Sequence, residues 1–83
     1  MNQTEAFDKV IKVITPYTKN ASALAAAKPD TRLLEDLGVN SARLVDIVLA
    51  FEDEFSIAID DETADKIRTV GDAVSMIVAK TTH

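Results

Sequence analysis

Ser41 is the hydroxyl best placed for chemistry in this chain. It follows the turn Gly38-Val39-Asn40 and opens the most amphipathic segment of the sequence. As a nucleophile it would need a general base. The only histidine is His83, the last residue, where chains usually fray. Ser41 therefore has no base, and no catalytic residue is expected. Two other roles stay open. Asn40 or Ser41 caps the following helix, with Gly38 allowing the tight turn before it. Or Ser41 accepts a phosphate ester, at a helix start whose free N–H groups and dipole favour an anion. On spacing alone the capping role is the simpler.

Other chemistries lack their parts. There is no cysteine, and no histidine cluster offers metal ligands, so no metal site is expected. Two glycines in all leave no glycine-rich phosphate loop. Asp60-Asp61-Glu62 lacks the twelve-residue calcium loop and its glycine, and reads as a helix start. Carboxylate pairs for glycoside chemistry would need a cleft that so short a chain can hardly build.

Eighty-three residues make one domain, 1–83, burying roughly 60% of its unfolded surface. A hydrophobic fraction of 47% argues for a folded chain. The net charge is -5, and its distribution says more than its total. Ten of the 14 acids lie between Glu35 and Asp65, where the only base is Arg43. Phosphate contact needs a basic patch, so nucleic acid and anionic membrane are poor partners. A basic protein surface is the natural complement. No apolar run approaches the ~20 residues of a membrane span, and no signal-peptide core is visible. A cytoplasmic location and a monomer are expected.

Helices must position Ser41. Phe7, Val10, Ile11 and Ile14 predict a first helix over Thr4–Thr15, capped by Thr4 and stopped at Pro16. Ala21–Ala27 is either a helical turn or an ordered loop. Pro29-Asp30-Thr31 is turn chemistry. Leu33, Leu34 and Leu37 should pin the long connection onto the core. From Asn40 a second helix carries Leu44, Ile47, Val48, Phe51 and Phe55 on one face, with Arg43, Asp46, Ala50 and Asp53 opposite. Ser56–Ile59 has no partner strand and reads as a connector with Ile57 and Ile59 turned inward. Asp60 caps a short helix through Ile67. Thr69 and Asp72 have capping-box spacing before a last helix with Val70, Ala73, Val74, Ile77 and Val78 inside and Lys80 at its end. The fold class is all-α: a small four-helix bundle of three main helices and a short third one, with a long loop between the first two.

Asp36-Leu37-Gly38-Val39-Asn40-Ser41 resembles the attachment motif of acyl carrier proteins, D-L-G-x-D-S-L. The likeness continues in Asp30–Leu33, Val45–Phe55, Ile57–Glu62 and Thr69–Val74, in order and at consistent spacing from about Thr31 to Lys80. The resemblance implies the acyl-carrier bundle and a 4'-phosphopantetheine arm, moved from coenzyme A onto Ser41 by a phosphopantetheinyl transferase. Asp36, Gly38 and Asn40 form the motif around it. The arm's thiol would hold an acyl chain as a thioester for acyl-transferring or synthase enzymes. Those enzymes would dock through basic patches, with Asp46, Glu52 and Asp53 as acidic contacts and Ala42, Val45 and Leu49 as apolar ones.

Three positions beside the serine depart from the family pattern. Asn40 replaces its Asp, Ala42 its Leu, and Arg43 an acidic or polar residue. Partner choice should be written there, which points to a specialised carrier in a dedicated lipid, polyketide or related pathway. An aminoacyl or peptidyl carrier of the same fold, and an unmodified acidic interaction module, are the alternatives.

Overall fold

The computed structural model describes residues 2–81. His83, set aside above as a base, lies outside the described residues. Five helices follow in order: α1 (Gln3–Ile14), α2 (Ala21–Ala25), α3 (Leu44–Phe55), α4 (Asp61–Asp65) and α5 (Val70–Thr81). The three long ones are the expected main helices, and α4 is the expected short one. Of the helical turn or ordered loop expected over Ala21–Ala27, the chain forms the helix, α2, which ends at Ala25. No strand forms among the described residues; an isolated bridge pairs Arg32 with Thr69.

Helix α1 starts earlier than Thr4. Asn2 is the cap, its Oδ1 accepting the Glu5 N–H at 2.8 Å. Asparagine is among the strongest capping residues, and its use adds a helical residue before Thr4. Ala6, Val10 and Ile14, each four residues apart, are fully buried. Beyond Ile14 the chain tightens into a 3₁₀ turn, Thr15–Tyr17, around Pro16, which cannot donate a backbone bond. Helix α1 packs on both α5 and α3.

The long connection is pinned at both ends. Lys19 and Asn20 donate their backbone N–H groups to the Leu37 carbonyl. Leu33 donates to Arg68 O, and Val70 to Thr31 O, so the start of α5 holds the segment ahead of Ser41. Leu33 and Leu37 are fully buried, as expected. Leu34 is not; it is 42% exposed. The turn from Arg32 to Leu37 places residues four apart on the inner side and turns Leu34 outward.

The second predicted helix also begins differently. Ser41–Arg43 is a 3₁₀ turn, and α-helical geometry starts at Leu44. Ile47 and Phe51 are buried, while Leu44, Val48 and Phe55 are half-buried. Phe51 and Phe55 pack tilted, ring centroids 6.2 Å apart. The helix ends at Ser56, whose φ of 54° is left-handed. Ile57 and Ile59 turn inward as expected, half-buried and buried. Asp60 caps α4 through Thr63 N–H at 2.7 Å, but α4 stops at Asp65, short of Ile67, which the following turn still buries. The capping box of α5 is reciprocal: Asp72 N–H donates to Thr69 Oγ1, and Thr69 N–H to Asp72 Oδ2, both at 3.1 Å. Met76 is buried in α5 where Val78 was expected, and Val78 is half-buried.

Candidate functional site

The turn that carries Ser41 is built from the chain just before it. Arg32 and Asp36 close it. The Asp36 carboxylate accepts Arg32 N–H at 2.8 Å and Nε at 3.3 Å through Oδ2, and Nη2 at 3.2 Å through Oδ1. Arg32 Nη1 also pairs with Glu35. The hydrogen bonds from Arg32 hold the Asp36 carboxyl below its usual range and raise the guanidinium above its own. Leu37 and Asp36 donate their N–H groups back to the Arg32 carbonyl. Gly38 follows at φ 68°, the left-handed region that costs a side chain strain. Val39 N–H then bonds to Leu33 O and is buried.

Asn40 does the capping. Its Oδ1 accepts Ala42 N–H at 2.9 Å, and its carbonyl accepts Arg43 N–H at 2.8 Å. Of the two residues that could cap the helix, Asn40 is the one that does. The cap is the asparagine, and the Ser41 side chain is exposed at the first position of the turn, without that duty.

Ser41 also lies on the edge of a cleft of about 910 Å³. The cleft runs between α3, α4 and the Arg32–Glu35 turn. Its inner lining is apolar, with Leu44, Val48, Ile59, Ala64 and Ile67. Leu34, Val45 and Leu49 stand exposed around it. A hydroxyl beside an apolar cleft fits a long flexible arm with an apolar cargo, so the residues present suit the implied group.

The predicted site residues separate into three settings. Ser41, Val45, Leu49 and Glu52 line the cleft. Asp36, Gly38 and Asn40 build the turn. Ala42, Arg43 and Asp53 are exposed outside the cleft lining, and Asp46 is half-buried there. Arg43 Nη1 lies 3.3 Å from Asp46 Oδ2. Glu52 is half-buried and accepts Ile59 N–H at 2.8 Å, so it also ties α3 to the connector. Sequence reasoning missed Arg32, Leu34 and the cleft itself. Leu34 carried a faint signal as the one leucine of its trio out of register with Leu33 and Leu37. The cleft joins segments distant in sequence and leaves no local pattern.

Among the described residues no helix is long and apolar enough to cross a membrane, and no cluster of three potential metal ligands occurs. The family model for the phosphopantetheine attachment site matches residues 19–77. An acyl carrier protein of Picosynechococcus sp. is 42% identical over 82 residues, covering 98% of this chain and 96% of that protein. One of Thermotoga maritima is 39% identical over 79 residues, covering 95% of each. One of Helicobacter hepaticus is 50% identical over 52 residues, covering 63% of this chain and 68% of its own. The first two likenesses reach well ahead of Thr31, into the N-terminal part outside the motif blocks. The chain belongs to the acyl carrier protein family, whose prosthetic group is a covalently attached 4'-phosphopantetheine.

Proposed function

We propose that Ser41 is the attachment point of the phosphopantetheine arm, and that the chain is a monomeric, single-domain acyl carrier, not a catalyst, working in the cytoplasm. The observation that carries the reading is the division of labour between neighbours. Asn40 takes the cap, which leaves the Ser41 hydroxyl exposed beside an apolar cleft. When bound, the arm supplies a terminal thiol that holds an acyl chain. Everything else falls to the chain's own residues. Asp36 and Arg32 hold the turn, Gly38 bends it, and the positive end of the α3 dipole favours the phosphodiester's negative charge.

The outer face of α3 is the docking surface in this reading. Val45 and Leu49 are apolar and exposed there, in a stretch of chain, Glu35 to Asp65, that carries ten acids and one base. Asn40, Ala42 and Arg43 set this chain apart from the family motif beside the serine. They support service to a dedicated set of partner enzymes: a phosphopantetheinyl transferase first, then enzymes that load, extend or unload the cargo.

The test is intact mass after incubation with coenzyme A and several phosphopantetheinyl transferases. Wild type should gain one arm, and Ser41→Ala none. Modification of the alanine variant, or none of wild type with every transferase, would sink the assignment.

A further inference from the structure

Arg43 is the one base between Glu35 and Asp65, and its ion pair with Asp46 is a loose one. Arg43 Nη1 lies 3.3 Å from Asp46 Oδ2, a single contact, longer than the about 2.7–2.9 Å of a firm charge-assisted hydrogen bond. Both side chains are largely exposed, 62% and 47%, and such pairs are weak in water. Their order along the helix is also the less favourable one. Arg43 stands at the start of α3, the positive end of its dipole, and precedes its acid. Long side chains on a helix lean toward its N-terminus. Arg43 reaches the other way, to a residue three further on.

On the N-terminal side of Arg43 is Ser41, two residues back in a 3₁₀ turn that rises about 2 Å per residue. Ala42, between them, is small and exposed and puts no bulk in the way. A phosphodiester on Ser41 brings a full negative charge to the side toward which an arginine leans. A guanidinium meets a phosphate with two parallel N–H groups, whereas it meets Asp46 through one nitrogen. The other guanidinium of this region is already committed. Arg32 has Asp36 on two of its nitrogens and Glu35 on the third.

Resting on the attachment reading of Ser41, we infer that Arg43 changes partner when the arm is attached: its guanidinium leaves Asp46 and pairs with the phosphodiester on Ser41. Arg43 is then a positioning residue for the base of the arm. The Asp46 carboxylate is paired in the bare chain and released in the arm-bearing one. A basic group of a partner that meets Asp46 therefore favours the arm-bearing chain over the bare chain.

Magnetic resonance of the arginine side chains and of phosphorus tests the exchange, on the full chain before and after arm transfer from coenzyme A. In the bare chain, Asp46→Asn should move the Arg43 Nε–H signal. In the arm-bearing chain the same substitution should leave that signal in place. The phosphorus signal of the arm should move in Arg43→Gln and stay in Asp46→Asn. Arg43→Lys, which keeps the charge without the planar fork, should move it part of the way. Raising salt from about 0.01 to 1 M should carry the wild-type phosphorus signal toward that of Arg43→Gln, as screening loosens the pair. Unchanged circular dichroism and melting confirm intact variants, and the phosphorus comparison stands without Asp46→Asn. An Arg43 signal that follows Asp46→Asn equally in both forms, or a phosphorus signal blind to Arg43→Gln, overturns the exchange. Failure of wild type to take the arm at Ser41 overturns the attachment reading instead, so the two failures are distinguishable.

Discussion

Glu52 Oε2 accepts the backbone N–H of Ile59 at 2.8 Å, across seven residues of chain. This bond joins the last turns of α3 to the connector that leads into α4, and both residues line the cleft beside Ser41. Ile59 is buried, so its N–H has little access to water. Glu52→Ala should cost about 1–2 kcal/mol by orphaning that donor. Glu52→Gln keeps an accepting oxygen and should cost less than about 0.5 kcal/mol. Urea unfolding checks this: a lower midpoint for alanine alone, with unchanged m, is expected. Equal loss in both variants would show that the carboxylate's charge, not the hydrogen bond, matters.

The two glycines should fail for different reasons. A Cβ on Gly71 would lie 2.6 Å from the Pro29 carbonyl oxygen, which also accepts the Gly71 N–H at 2.7 Å. Backbone must shift there, so Gly71→Ala should lose about 1–3 kcal/mol. A Cβ on Gly38 meets Lys19 Cβ at an ordinary 3.5 Å, but at φ 68°. Gly38→Ala should lose about 1–2 kcal/mol through backbone strain alone. Gly38→Asn, which tolerates the left-handed region better, should recover part of that loss. No comparable rescue is expected for Gly71→Asn. Thermal melts of the four variants decide the matter.

Acid should loosen the turn before Ser41. Asp36 is held below its ordinary value by the hydrogen bonds from Arg32, and Asp60 below its own by hydrogen bonds from Thr63, first from its side chain and then from its N–H. The folded chain therefore binds these two protons less tightly than the unfolded chain does. The stability they confer is fully present above about pH 4, the unfolded range, and is lost as pH falls through the depressed folded values. Asp36→Asn should flatten the stability profile below about pH 4 while leaving the neutral-to-alkaline profile unchanged in shape. Arg32 is raised further above an already high value, so it contributes no pH dependence in the alkaline working range. An unchanged acid slope in Asp36→Asn would remove the carboxylate from this role.

These elements differ in how far they could be read in advance. The faces of α1, α3 and α5 were legible because burial repeats every three to four residues, and burial is what those helices do. The Thr69–Asp72 box and the Asp60 cap were legible because capping is local. Asn2 and the 3₁₀ start at Ser41 were not. Thr4 competes with Asn2 as a cap two residues away, and periodicity cannot tell a 3₁₀ turn from an α turn over three residues. Ser41 stood out by its setting, but its freedom from capping depends on a single oxygen of Asn40. The double engagement of Asp46 and Glu52 rests on rotamers and a tertiary hydrogen bond, which composition does not encode. The cleft arises only when Leu34, Val48 and Ile67 meet, from three separate segments.

Phe51 and Leu49 separate stability from recognition on one helix. Phe51 is fully buried against α1 and Phe55, whereas Leu49 is 56% exposed on the opposite side. Phe51→Ala should cost about 3–5 kcal/mol, through lost burial and the cavity left behind. That is a large share of the stability of so small a domain. Leu49→Ala should change stability by less than about 0.5 kcal/mol, as exposed substitutions do. If α3 docks through Val45 and Leu49, the ranking reverses for arm transfer. Leu49→Ala should raise KM for the transferase several-fold while it melts like wild type. Below its melting temperature, Phe51→Ala should keep a larger share of the wild-type rate than of the wild-type stability. A Leu49→Ala variant indistinguishable from wild type in both assays would move the docking face off α3.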